Sequence, residues 1–250
     1  MLSHLIWWSS IALEGLLLVR GLQTRLASRY PIFFTYIAFV FLFEDLLSLL
    51  IAESSPIYKY TFWSTELVGI LLGCGVVLEI YRIGLARFPG TARMARAALA
   101  LIFILATAKG LIAVTQNPEW WRDTNALQLE RAIRIVQAIA ILGFTLVLLI
   151  YSIPFSKNLR GILLGYGSYV SVQAITLTFV PQVGHGFWFY ALSASYQVAL
   201  VTWLVHLWSY QESTAANPDD ISGGDYKWAA AATKRRLQTA RGELSRVLRP

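Results

Sequence analysis

The chain has 250 residues, of which 56% are hydrophobic and only 14% are charged, and its mean hydropathy is +0.56. Soluble domains are typically about 45–50% apolar and about 25% charged, so the composition excludes an ordinary soluble domain and predicts a membrane protein. The formal net charge is +7. The one cysteine, Cys74, lies inside an apolar stretch, which excludes a disulfide framework and a cysteine-based metal site.

Seven apolar stretches are long enough to cross a hydrocarbon core about 30 Å thick, which needs roughly 20 helical residues. The first has neither a basic leader nor a small-residue cleavage pattern, so we expect it to be a membrane helix and not a signal peptide. Short connections join all seven, which predicts one all-α domain, a seven-helix transmembrane bundle over residues 1–210. The predicted spans are 2–19, 31–51, 62–81, 95–115, 127–151, 161–180 and 187–209.

Basic residues predict the orientation of this bundle. They follow the first, third, fifth and seventh spans, whereas the opposite loops hold only Lys59 and Arg122. The positive-inside rule therefore places the N-terminus outside and the C-terminus in the cytoplasm. Membrane topology accounts for much of the positive charge, so no nucleic-acid partner is needed to explain it.

The chain changes character after the last span. Residues 211–228 are polar and rich in turn formers, which predicts a flexible linker. Residues 229–250 predict a basic amphipathic helix with Leu237, Leu244 and Leu248 on one side. Such a helix binds either the anionic cytoplasmic leaflet or a cytoplasmic partner protein.

A faint internal repeat is the main sign of transport. "FWSTELVGILLG" opens the third span and "FWFYALSASYQV" opens the seventh, which is the pattern of a three-plus-one-plus-three arrangement. Parallel repeats of this kind occur in sugar-transporting seven-helix proteins. The prolines count against transport, because they lie at predicted helix ends or in loops and so predict continuous spans.

Polar side chains in the spans share a depth beneath the outer surface. At about 1.5 Å per residue, Glu44, Lys109 and Gln173 fall roughly 10 Å below it, and the others lie somewhat nearer to or farther from it. Ionisable groups at this depth normally face the bundle interior and mark functional positions. The predicted ligand-binding residues are Glu44, Asp45, Glu66, Lys109, Arg131, Arg134, Gln137, Gln173 and Gln197.

Helical spacing arranges some of these residues on stripes. Glu130 lies four residues before Arg134, a favourable ion-pair spacing, and Gln137 continues the same stripe. Comparable polar stripes occur on the sixth and seventh spans, so three helices would face one outward-opening pocket. The sixth span contributes Tyr166, Tyr169, Gln173 and Thr176, and the seventh Ser193 and Gln197.

Two other interpretations remain open for these charges. They would pair with one another in a purely structural network, or Arg134 and Lys109 would extend back to the headgroups. Outward arginines run against the positive-inside bias, so Arg131 and Arg134 need compensation in either case. A second polar cluster is predicted near the cytoplasmic face, as a structural lock between helices, from Glu14, Glu79, Arg82 and His206.

Catalytic motifs give little support to an enzyme. The sequence holds three histidines and no phosphate-binding glycine loop, serine-hydrolase elbow or H-E-x-x-H pair. We therefore expect no catalytic residue, no metal and no cofactor. A membrane enzyme would need His185 or His206 beside a carboxylate in a cavity.

The strings "RYPIFFTY", "ELVGILLGCGVVLEIYR", "LERAIRIVQ" and "GILLGYGSYVSVQ" resemble those of a family of bacterial seven-helix membrane proteins of similar length with no assigned activity. The resemblance covers most of the chain except the tail and implies a bacterial inner membrane. It implies no site residue.

The sequence therefore predicts a multi-pass sensor or receptor-like protein that binds a small polar or charged molecule from the outer face. The alternative is a small-solute transporter built from two three-helix repeats.

Overall fold

A computed structural model describes residues 2–46, 56–86, 89–116, 124–150, 156–183 and 185–208, and these residues are helical apart from short turns. The all-α prediction is confirmed for this part of the chain. The predicted linker and tail helix lie outside it. The helices are α1 (Leu2–Gln23), α2 (Leu26–Arg29), α3 (Pro31–Phe39, continued by a π-helix Val40–Leu46), α4 (Pro56–Gly84), α5 (Pro89–Gln116), α6 (Thr124–Ile150), α7 (Lys157–Val183) and α8 (His185–Leu207).

Local sequence explains where several helices begin. Pro31, Pro56 and Pro89 each occupy the first position of a helix, where proline costs no hydrogen bond and its fixed φ suits the first turn. Arg25, between α1 and α2, has a left-handed backbone (φ 58°) that turns the chain toward α3.

Within the described residues, four helices are long and apolar enough to cross a membrane, judged by length and composition alone. Their outward faces carry large aliphatic side chains, such as Leu142 and Leu149 on α6, which are exposed in the protein by itself. Both features are consistent with a membrane protein, as the composition predicts. The four segments are Leu5–Gln23, Ser64–Gly84, Gln128–Leu149 and Lys157–Phe179, and Pro31–Phe43 is a shorter apolar helix.

Side-chain contacts give the relative directions of the helices. In the pair α7 and α8, Gly161 lies against His206 and Tyr169 lies against Tyr196, so these helices are antiparallel. Helices α1 and α8 are parallel, because Gln197 bonds near the start of α1 and Trp208 bonds to Arg20 near its end.

The centre of the bundle is aromatic and tightly packed. Trp203 of α8 is fully buried and packs edge-on against Phe33 of α3, with ring centroids 5.1 Å apart. Gly165 of α7 makes this approach possible, since a Cβ there would collide with the Trp203 ring. The same geometry brings α3, α7 and α8 together around one core.

The second predicted span is continuous but not a uniform α-helix over the part of it that the structure describes. It changes to a π-helix over Val40–Leu46, which widens the turn and shifts the faces of the residues that follow. Proline does not cause the change. The sequence letters "VFLFEDL" contain none, so the proline argument could not detect it. π-Helical turns are rare and occur frequently at functional sites.

A carboxylate from α4 holds the N-terminal end of α3. Glu79 is 2% exposed, and its two oxygens accept the backbone N–H groups of Ile32 (3.2 Å) and Phe33 (2.9 Å). These donors have no partner within a helix, and Tyr30 at the N-cap position makes no side-chain cap bond. Glu79 therefore performs across the bundle the role that a Ser or Asp cap performs locally.

Removal of this cap should lower the stability of the protein. We expect Glu79→Ala to lower the free energy of unfolding by about 1–3 kcal/mol, because two buried N–H groups lose their acceptor. Reversible unfolding of the detergent-solubilised protein would measure this cost. Arg82→Ala is the matched control, because Arg82 contacts the same carboxylate at 3.4 Å but is largely exposed. An equal loss in both variants would contradict the capping role.

Candidate ligand site between α4, α6 and α7

Arg134 is the centre of the candidate site. It projects from α6 into the bundle with 3% of its surface exposed. Its Nη2 atom donates to Glu66 of α4 at 3.3 Å, and its Nε lies 3.7 Å from Glu130, one turn earlier on α6. The Glu130–Arg134 pair is the one that the helical spacing predicts. A buried guanidinium is therefore held between two carboxylates.

Gln137 joins the three helices one turn further into the bundle. It is fully buried, and its amide nitrogen donates to the Ile70 carbonyl (3.2 Å) and to Cys74 Sγ (3.3 Å), both on α4. Its amide oxygen accepts the Tyr166 hydroxyl of α7 at 3.4 Å. Gln137 thus fixes the distance between α4 and α7.

Gly73 permits this arrangement. A Cβ at position 73 would collide with the Tyr166 hydroxyl oxygen and lie 3.1 Å from Gln137 Nε2. The tyrosine hydroxyl therefore occupies the space above the α4 backbone that any other residue would fill. Gly73 therefore has a specific role at the site, because it lets Tyr166 of α7 approach the α4 backbone.

Four buried polar atoms near this junction make no hydrogen bond to any residue in the described part of the chain. They are Arg134 Nε, Arg134 Nη1, Gln173 Oε1 and Thr176 Oγ1. Buried polar atoms are almost always hydrogen-bonded in native proteins, so each orphan requires an explanation such as a water, an ion or a ligand. All four belong to the facing helices α6 and α7.

Helices α6 and α7 contact each other at Gln137 and Tyr166, and the six residues between the two helices are too few to return the chain along the length of a helix, so the helices are antiparallel. Glu130 lies seven residues, nearly two turns, toward the start of α6, and Gln173 lies seven residues toward the end of α7. Gln173 and Thr176 continue the interior face of α7 that begins with Tyr166, and both are buried. By this count Gln173 lies near the level of Glu130, and Thr176 lies about one turn beyond it.

A second polar contact lies across the bundle from Arg134. The Tyr196 hydroxyl of α8 donates to Glu14 of α1 at 2.6 Å. Tyr196 packs against Tyr169 with ring centroids 5.1 Å apart, and Tyr169 lies within electrostatic range of Arg134. Tyrosines therefore connect the Arg134 cluster to a carboxyl group of the first helix.

The structure brings together part of the predicted ligand set. Glu66, Arg134 and Gln137 meet on one side of the bundle, and Gln173 faces them from α7. Arg131 is exposed and Gln197 lies elsewhere, where it ties α8 to the Ile6 carbonyl (2.7 Å) and to two serines of α1. Three further predicted residues are helical, but their side chains lie outside the part of the structure that is described. They are Glu44, Asp45 and Lys109.

The predicted inner residues divide into separate contacts. Glu79 and Arg82 pair at 3.4 Å beside the start of α3. Glu14 lies near the midpoint of α1 and meets Tyr196, and His206 Nδ1 lies 2.9 Å from the Thr202 carbonyl of its own helix. These contacts form a cap for α3 and a separate mid-bundle contact, and the four-residue lock stays a prediction.

Sequence reasoning missed two members of the site. Cys74 was assigned to an apolar stretch, yet it accepts a hydrogen bond from Gln137. Tyr196 was noted only as part of a repeat string, although its hydroxyl bonds to Glu14. Its three-residue spacing from Ser193 on α8 was the available signal. Within the described residues, no group of three His, Cys, Asp or Glu side chains is placed to hold a metal ion.

Comparison of the chain with protein-family models, curated proteins and solved structures finds no match. The proposed function is therefore based on the geometry of the site.

Loss of the buried guanidinium should lower the stability of the protein. We expect Arg134→Met to lower the free energy of unfolding by about 3–5 kcal/mol, because it leaves the buried Glu130 and the partly exposed Glu66 beside each other without a cation. The exposed neighbour Arg131→Met is the control, with an expected change within about 0.5 kcal/mol. Unfolding curves of both variants in one detergent would decide. Similar losses in both would show that Arg134 is not an interior charge.

Two glycines offer a matched test of the α4–α7 contact. Gly73→Ala should destabilise the bundle, because the new methyl group displaces the Tyr166 hydroxyl. Gly143→Ala on α6 meets no atom within 4 Å and should stabilise by up to about 1 kcal/mol, since alanine favours a helix over glycine. Thermal unfolding of both variants is the measurement. A stabilising Gly73→Ala would contradict the described packing.

Proposed function

We propose that this chain is a seven-span sensor of a bacterial inner membrane that binds a small polar molecule from the outer face. The observation that carries the proposal is the Arg134 guanidinium. It is buried, charge-balanced only by carboxylates, and has two nitrogen atoms without an acceptor among the described residues. A solute with an acceptor group would complete this coordination.

Contact directions support the seven-span topology. Parallel α1 and α8 require an odd number of crossings between the two ends of the bundle. The close contact of Gln137 with α4 on one side and α7 on the other places the candidate site inside the bundle. With the basic loops facing the cytoplasm, the Arg134 end of α6 faces outward. The two-triplet repeat stays a prediction.

A path for the signal follows from the same contacts. A ligand that accepts hydrogen bonds from Arg134 would compete with Glu66 of α4 for the guanidinium. Further along α4, the Tyr81 hydroxyl donates to the Ala140 carbonyl of α6 at 2.7 Å, and Glu79 caps α3. A shift of α4 against α6 would therefore reach the cytoplasmic side through α4 itself. On the cytoplasmic side, the predicted basic tail would receive the signal.

Single-cysteine labelling tests whether the site is open to the outside. In a Cys74→Ser background, Gln173→Cys and Thr176→Cys should react with a charged, membrane-impermeant methanethiosulfonate applied from the outer face. Ile175→Cys is the matched control on the same helix, because Ile175 is 51% exposed on the apolar surface and should react only with an apolar maleimide. Mass spectrometry of the intact protein would count the labels.

Protection of positions 173 and 176 as complete as that of position 175 would contradict the proposed site. In that case the Arg134 cluster would be a closed structural network. Folding of each variant is checked by its unfolding temperature before labelling.

Transport is the second candidate, favoured by the packing of Tyr169 against Tyr196 and by the hydrogen bond from Tyr196 to Glu14 of the first helix. These groups reach the opposite side of the bundle from α4. A transporter exposes its binding site to each face in turn. The same cysteines would then react from the cytoplasmic face as well, whereas a sensor would give labelling from the outer face only.

A further inference from the structure

We propose that the Arg134 site selects a small zwitterion, a molecule that carries an ammonium group and a carboxylate. This inference rests on the proposed function, because it names the class of ligand for the same site. It follows from the charge of the cluster and from the kinds of polar atom that are left without partners.

The charge of the cluster argues against a net anion. Glu66 and Glu130 lie beside a single guanidinium, whose charge one ionised carboxylate already balances. An added carboxylate or phosphate alone would leave a net negative charge in the interior, where unbalanced charge is expensive. The ligand must therefore bring a positive group with any negative one.

The orphan atoms argue against a simple cation. Arg134 Nε and Nη1 are donors only, so a ligand without an acceptor would leave them unsatisfied. Nε and Nη1 lie on different edges of the guanidinium, so one carboxylate cannot bond to both, and a ligand carboxylate would form a charge-assisted hydrogen bond with Nη1. This fixes one end of the ligand against Arg134.

The oxygen atoms of α7 and the carboxylates require a hydrogen-bond donor, whereas Arg134 requires an acceptor. Gln173 Oε1 is an acceptor only, Thr176 Oγ1 is able to accept, and both are buried without partners among the described residues. Glu130 on the facing helix adds a carboxylate at the same level. An ammonium group has three donors and a positive charge, which matches two neutral oxygens and one negative oxygen. The two ends of a zwitterion thus meet complementary atoms.

Thr176 provides a variant whose unliganded stability separates a binding role from a structural one. Its hydroxyl is buried without a described partner, so Thr176→Val removes an unsatisfied polar atom and keeps the side-chain shape. The empty variant should be at least as stable as the natural protein. The variant should nevertheless lose its response to the ligand, which a merely structural residue would not do.

The experiment is thermal unfolding of the full-length protein in detergent with defined probes. Glycine, β-alanine and γ-aminobutyrate are the zwitterions, which differ in the separation of their charges. Acetate, methylammonium and glycerol are the matched anion, cation and neutral molecule. At least one zwitterion should raise the unfolding temperature by about 2–4 °C or more at saturating concentration, and the matched probes should not.

Thr176→Val should reduce that shift by at least half, and Thr178→Val should keep it. Thr178 is the control because its hydroxyl already bonds to the Ala174 carbonyl of its own helix at 2.7 Å. Retention of the full shift in Thr176→Val, or its loss in Thr178→Val as well, would overturn the assignment of the ammonium end.

The remaining outcomes separate the ligand class from the function. A shift produced by acetate, methylammonium or glycerol and by no zwitterion would overturn the inference and leave the proposed site intact. The absence of any shift would overturn the inference for these zwitterions, while outer-face labelling of positions 173 and 176 would still decide the proposed function independently.

Discussion

The burial of one guanidinium constrains the centre of this bundle. Arg134 is out of water, so it requires negative partners, and those come from its own helix through Glu130 and from α4 through Glu66. An isolated ion in an apolar interior costs several kcal/mol or more. Helices α4 and α6 are therefore bound to each other by charge as well as by packing. The amide of Gln137 then extends the connection to Tyr166 of α7.

Much of the fold follows from elementary features of the sequence. Apolar length predicts a helix that begins at Pro31, where the structure has it, whereas α4 and α5 begin at Pro56 and Pro89, six residues before the predicted spans that start at 62 and 95. The π-helical turn at Val40–Leu46 was not predictable. Periodicity reports which face of a regular helix is apolar, and a local change in residues per turn leaves no composition signal.

The residues of the site that lie together on one helix were predictable from the sequence. The spacing of Glu130, Arg134 and Gln137 places them on one stripe, and the structure has all three buried. Depth along a helix does not tell which neighbouring helix a side chain faces. For this reason Gln197 was predicted to line the same pocket, although it bonds to α1. Partners such as Cys74 and Ile70 were also out of reach, because a buried amide often chooses a backbone carbonyl or a thiol that no motif marks.

The bond from Gln197 to α1 has a consequence for biogenesis. A single amide nitrogen reaches the Ile6 carbonyl and the hydroxyls of Ser9 and Ser10, so the first helix receives these bonds from the last one. During synthesis α1 enters the membrane long before α8 is made, and until then those serines must satisfy themselves locally. Insertion of α8 therefore completes these contacts. A chain interrupted before Gln197 lacks the hydrogen bonds from α8 to α1.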